Sequence, residues 1–119
     1  MYKRKIPLDL TCGISVASEV ILSKWKFYIL NKINEGIVRP KDMLEAIQCI
    51  TKRVLHEQLK QLEFYKIVER TVFSDEVPLR VEYSLTDSGK AILPLLTAVN
   101  QWGLDFVPQF NEIIEHNKG

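Results

Sequence analysis

The chain has 119 residues and a mass of 13.8 kDa, which suits one domain and leaves little room for two. Hydrophobic residues make up 46% and charged residues 26%, a balance that folds as a soluble globule rather than staying disordered. Sixteen Lys and Arg against fifteen Asp and Glu leave a net charge of +1, excluding a uniformly basic coat and an acidic tail alike.

At the start, the basic run Lys3-Arg4-Lys5 is followed by Pro7, Asp9 and Thr11 rather than an apolar core, so a signal peptide is not expected. No apolar run approaches the roughly 18 residues that span a bilayer. The expectation is a soluble, cytoplasmic protein with no membrane partner. Val16, Ala17, Val20 and Ile21 recur at helical spacing and predict a short helix over residues 14–22. Ser23 can cap a second helix whose face holds Trp25, Tyr28, Ile29 and Ile33, widened by Phe27 and Leu30 and ended by Gly36. Pro40 suits the first turn of a third helix carrying Met43, Leu44 and Ile47.

Thr51 is a good N-cap for the clearest helix of the chain, residues 52–64. Leu55, Leu59 and Leu62 form its buried stripe; Arg53, His56, Glu57, Lys60 and Gln61 are expected opposite. Residues 67–73 and 80–85 read as two strands, Val81, Tyr83 and Leu85 sharing one face of the second. The connection Ser74-Asp75-Glu76-Val77-Pro78 makes an antiparallel hairpin. Thr86 caps a last helical region in which Pro94 should kink the helix or delay its start. Gly103 and Pro108 should punctuate an apolar tail of Leu104, Phe106, Val107, Phe110, Ile113 and Ile114.

A short helix, a tight turn, a capped helix with a polar outer face and a hairpin make a winged helix-turn-helix. The fold class is mainly α with a small β-hairpin wing. An α-helix fits the major groove, and the preceding helix fixes its angle across the backbone. Lys52, Arg53 and Lys60 supply charge, while His56 and Gln61 offer hydrogen bonds. Glu57 can accept from cytosine N4, and the amides that follow Thr51 can receive a phosphate. Arg70 and Arg80 at the base of the wing suit phosphate or minor-groove contact, whereas Asp75 and Glu76 at its tip would be repelled. Two readings stay open on this pattern: a DNA-binding regulator, and a winged-helix protein-interaction module without DNA binding. An enzyme has no support in a nucleophile–base arrangement, a phosphate-cradling glycine loop or a metal motif.

The chain resembles the HxlR-type winged helix-turn-helix regulators, which are related to the MarR class. The resemblance runs from Cys12 to about Gly103. It rests on Cys12 twelve residues before Lys24-Trp25, on Ile29-Leu30, and on Ile50-Thr51 opening the helix of Leu55, Leu59 and Leu62. The wing run Glu76-Val77-Pro78-Leu79-Arg80-Val81-Glu82-Tyr83-Ser84-Leu85-Thr86 follows, then Gly89, Leu93-Pro94 and Trp102-Gly103. It implies a homodimer on a pseudo-palindromic DNA operator, the helix from Lys52 entering the major groove and the wing flanking it. On that basis the DNA-binding core covers about 23–86, and dimerisation helices cover about 12–22 and 87–116 of one domain spanning 1–119. Two positions depart from the family pattern: Cys49 and Ser23 stand where the family has glycine. A non-glycine residue at 49 is expected to alter the turn.

The resemblance also implies a redox or electrophile sensor at Cys12, with an oxidant or small molecule as effector. That chemistry needs an accessible, acidified thiol, which a helix end and Lys3, Arg4 and Lys5 would favour. The other reading of Cys12 is a small buried hydrophobe in the dimer interface. Cys49 is expected to be inert or half-buried, and no Cys12–Cys49 disulfide is expected. With no CxxC pair and His56 and His116 the only histidines, neither a metal site nor a cofactor is expected. Trp25 and Trp102 read as core and interface anchors.

Overall fold

The computed structural model describes residues 6–117. In chain order the elements are α1 (Gly13–Val20), α2 (Lys24–Asn34), α3 (Pro40–Ala46), α4 (Lys52–Phe64), β1 (Val68–Phe73), β2 (Arg80–Leu85), α5 (Asp87–Lys90) and α6 (Leu93–Asn117). Helices α2, α3 and α4 surround one core in which Ile29, Leu30, Met43, Leu55, Leu59 and Leu62 are wholly buried. The hairpin closes one side of it. β1 and β2 are antiparallel, from Val68 opposite Leu85 to Phe73 opposite Arg80. The Tyr83 amide donates to the Val38 carbonyl at 2.9 Å, which ties β2 to the segment between α2 and α3.

Local chemistry places these elements. Ser23 accepts from the Lys26 amide, and Thr51 from the Val54 amide at 3.1 Å, so both expected N-caps form. The C-termini of α2 and α4 close in the same way. Gly36, at φ +94°, donates to Ile33 while Ile37 donates to Lys32; Lys66, at φ +59°, donates to Glu63 while Ile67 donates to Leu62. Both are Schellman closures. The Thr86 hydroxyl donates to the Lys66 carbonyl at 2.6 Å, with the Ile67 carbonyl at 3.0 Å, and accepts from the Gly89 amide at 3.1 Å. Thr86 therefore joins the end of α4 to the start of α5. Gly89 must lie flat against this junction, because a Cβ there would overlap the Ile67 carbonyl oxygen.

Three sequence expectations change. The buried face of α2 is Lys26, Ile29, Leu30 and Ile33, whereas Tyr28 stands half-exposed on the outside, its ring 6.1 Å from that of Trp25. Gly103 and Pro108 do not interrupt the tail: α6 is continuous for 25 residues. Pro94 falls in its first turn, where the ring costs no hydrogen bond, so the helix starts late rather than kinking there. The third change concerns Cys49, which is exposed rather than half-buried.

Cys49 has φ +68°, so the turn between α3 and α4 keeps the left-handed conformation that glycine adopts freely. The departure from the family pattern is absorbed as backbone strain, of about 1–2 kcal/mol for a side chain in this region. The Cys49 side chain is exposed, so its removal loses little packing. Cys49→Gly is expected to stabilise the protein by about 0.5–1 kcal/mol, after the greater freedom of glycine in the unfolded chain is deducted. The urea midpoint should rise at constant slope; a lower midpoint would mean that the strain is absent in solution.

Only the first turn of α6 packs on the core, through Leu96. The rest projects, giving extents of 57 × 37 × 27 Å and a radius of gyration of 16.7 Å, against about 13–14 Å for a compact chain of this length.

Candidate nucleic-acid interface

The outer surface of α4 is built by what holds its back. Leu55, Leu59 and Leu62 are fully buried at spacings of four and three residues, which turns Lys52, Arg53, His56, Glu57 and Lys60 to the exposed side. Thr51 sits exposed at its N-terminus, and its side chain satisfies one of the free amides there. Arg53 Nε lies 3.3 Å from Glu57 Oε1 in an exposed i,i+4 pair, so the carboxylate sets the arginine's resting direction at little energetic gain. Gln61 does not join this face. Its Oε1 accepts from Lys26 Nζ at 2.7 Å, which turns the amide toward α2 and corrects the expectation that it faces outward.

Two arginines stand on the wing. Arg70 is exposed on β1 directly opposite Tyr83. Burial pushes the Tyr83 phenol above its ordinary value, and the nearby Arg70 charge partly offsets this. Arg80 is tied down within the wing. Its Nη1 is 3.3 Å from Glu76 Oε1, its Nε is buried 3.5 Å from Glu82 Oε2, and its guanidinium lies 3.9 Å above the Phe73 ring across the ladder. Glu82 Oε2 also lies 3.4 Å from Arg39 Nε, at the N-cap of α3. One carboxylate thus links the base of the wing to the helix before the turn. The wing tip is apolar as well as acidic, with Val77 and Leu79 both exposed.

Cys12 is the N-cap of α1 and half-buried, with its amide donating to the Asp9 carbonyl at 3.1 Å. Its side chain makes no capping bond. Asp9 Oδ1 accepts from the Thr11 amide and hydroxyl, which hold its carboxyl below the usual range. Lys3, Arg4 and Lys5, expected beside Cys12, lie outside the described residues.

A family model described as an HxlR-like helix-turn-helix matches residues 20–111. The chain belongs to the HxlR-like helix-turn-helix family. It is 39% identical over 92 residues to an HTH-type transcriptional regulator of Methanothermobacter thermautotrophicus, covering 77% of this chain and 70% of that one. Among solved structures, the HypR redox regulator in its reduced form superposes with a TM-score of 0.77 at 30% identity, over 85% of this chain and 99% of that one. Reduced YodB of Bacillus subtilis, a transcriptional regulator, superposes with a TM-score of 0.66 at 32% identity, over 80% of this chain and 93% of that one.

Within this HxlR-like chain, sequence reading missed Lys26, the Arg39–Glu82–Arg80 link and the extent of α6. Lys26 was detectable, because it stands three, four and seven residues before Ile29, Leu30 and Ile33 and so shares their stripe. Nothing in the sequence marked Glu82 as shared between two arginines, since its partners are 43 and two positions away. Among the described residues no cluster of three or more His, Cys, Asp or Glu could hold a metal ion, and no helix is long and apolar enough to cross a membrane.

Proposed function

We propose that this chain is a homodimeric transcription regulator that binds a pseudo-palindromic double-stranded operator, with thiol control at Cys12, in the cytoplasm. The observation that carries the reading is the outer face of α4, where Lys52, Arg53, His56 and Lys60 are exposed above three buried leucines. Thr51 and the first amides of α4 would take a phosphate, while His56 and Glu57 would meet base edges. Arg70 would contact the backbone from the wing, and Arg80 would do so only by leaving Glu76 and Glu82. The core over about 23–86 reads DNA in this scheme. The helices over about 12–22 and 87–116 join two copies, as the exposed apolar side chains of α6 support.

Thiol control draws support from the position of Cys12 at a helix N-terminus and from the likeness to HypR, whose solved structures include one described as a redox regulator in its oxidised form. The carboxylates beside Arg53 and Arg80 favour the protein-interaction module as second reading, because they reduce the cation available to phosphate.

Selection of bound duplexes from a random pool separates the two. Enrichment of inverted half-sites about one helical turn apart, with binding that falls steeply with salt, is the expected result. No enrichment and salt-indifferent binding would leave the interaction module. On the selected duplex, an oxidant or quinone should release wild type and not Cys12→Ser; equal release from both removes Cys12 from the control.

A further inference from the structure

Lys26 carries an ammonium on the core side of α2 and is 6% exposed. It donates from Nζ to Gln61 Oε1 of α4 at 2.7 Å. Three residues earlier on both helices, Ser23 Oγ donates to Gln58 Oε1 at 3.4 Å. Two polar bridges at the same step therefore fasten α4 to α2, along the border between its leucine back and its outer face. Burial lowers the Lys26 pKa from its ordinary value, and Glu19 of α1 acts in the opposite direction. Glu19 also accepts from the Tyr65 hydroxyl, at the C-cap of α4, at 3.4 Å. The polar contacts thus reach α1, α2 and α4.

The two kinds of contact constrain α4 differently. Apolar attraction is non-directional, so Leu55, Leu59 and Leu62 tolerate a small rotation of the helix in its bed. A hydrogen bond to a buried ammonium does not, because a misaligned acceptor leaves a charge unpaired and out of water. On a helix of about 5–6 Å radius, a rotation of about 15° displaces an outer side chain by about 1.5 Å. That displacement is enough to lose a bidentate contact with a base.

We infer that Lys26, through Gln61, is a positioning residue that sets the rotation of α4 about its axis, and with it which of Lys52, Arg53, His56 and Lys60 reach base edges. The inference rests on α4 being the DNA-contacting helix. It locates part of the sequence preference in a side chain that touches no DNA.

The test compares wild type, Lys26→Met, Gln61→Leu and Gln61→Glu on the duplex selected by wild type and on a scrambled duplex of equal length. Methionine keeps the length of the stem and needs no partner, so the melting temperature should hold or rise. Affinity for the selected duplex should fall about tenfold, while binding to the scrambled duplex and the salt slope stay unchanged. Gln61→Leu should lose the same discrimination, whereas Gln61→Glu keeps an acceptor and should retain it. Wild-type discrimination in folded Lys26→Met would overturn the inference, as would an equal loss on both duplexes. If Lys26→Met does not fold, the contrast between the two Gln61 variants decides in the same way. A wild type that discriminates no duplex ends both the DNA reading and this inference; a discriminating wild type with a Lys26→Met that discriminates equally well ends the inference alone.

Discussion

The double variant Arg53→Ala, Lys60→Ala is expected to weaken operator binding about a hundredfold or more while leaving stability within about 0.5 kcal/mol. Both side chains are exposed on α4, and the Arg53–Glu57 pair that is lost is an exposed contact of small value. In a dimer the substitutions remove four cations. Each phosphate neutralised contributes about 0.9 to the dependence of log affinity on log salt, so the slope should flatten by about three to four. Glu57, freed from its arginine, would then stand unneutralised on the same face and oppose the phosphates. Binding measured over 50–200 mM salt by fluorescence anisotropy would check both quantities. Unchanged affinity would place the contact elsewhere on the molecule. Equal losses on selected and scrambled duplexes would assign the pair to phosphate alone, leaving base discrimination to Lys52 and His56.

What the sequence disclosed follows a physical division. Periodicity reports local burial, so the leucine stripe of α4 and the alternation of β2 are legible, and the structure turns the Tyr83 face inward. Caps are local too, so Ser23 and Thr51 are legible from their own short range. Contacts between distant segments were not legible. Helical spacing alone puts Gln61 opposite the leucine stripe, and only the α2–α4 packing brings Lys26 to it. Gly103 and Pro108 read as breaks because each opposes a helix in isolation. The outcome at Cys49 belongs to the same class: local rules gave the cost of its φ, while the neighbouring helices impose the φ itself. The candidate site was thus legible as a list of exposed cations, and illegible in how carboxylates and a buried lysine direct them.

Disrupting α6 is expected to have the second large effect. Leu95, Val99, Trp102, Phe106, Phe110 and Ile113 recur at spacings of three and four and lie along one side of the helix. The Trp102 and Phe106 rings stack at 5.0 Å, and Phe110 meets Phe106 edge-on at 6.2 Å. Trp102 is 67% exposed and Phe110 54%, with little of the protomer to cover them. Helices in proteins draw most of their stability from packing, and interior Gly103 and Pro108 remove about 1 and 3 kcal/mol of helix propensity from this one. Keeping α6 helical throughout therefore calls for a packed partner, and a second copy offers the same stripe about a twofold axis. A stable pair buries about 800 Å² on each side, within reach of six large side chains on a helix about 37 Å long. Phe106→Asp with Phe110→Asp should convert a particle of twice 13.8 kDa to one of 13.8 kDa in light scattering. Operator affinity should fall by about 10²–10⁴, because two linked heads gain that much from joint binding, while α4 and its cations are untouched. A doubly substituted protein that remains dimeric would place the interface away from α6, whereas a monomeric wild type would dismiss the twofold arrangement and require one protomer to hold the operator alone.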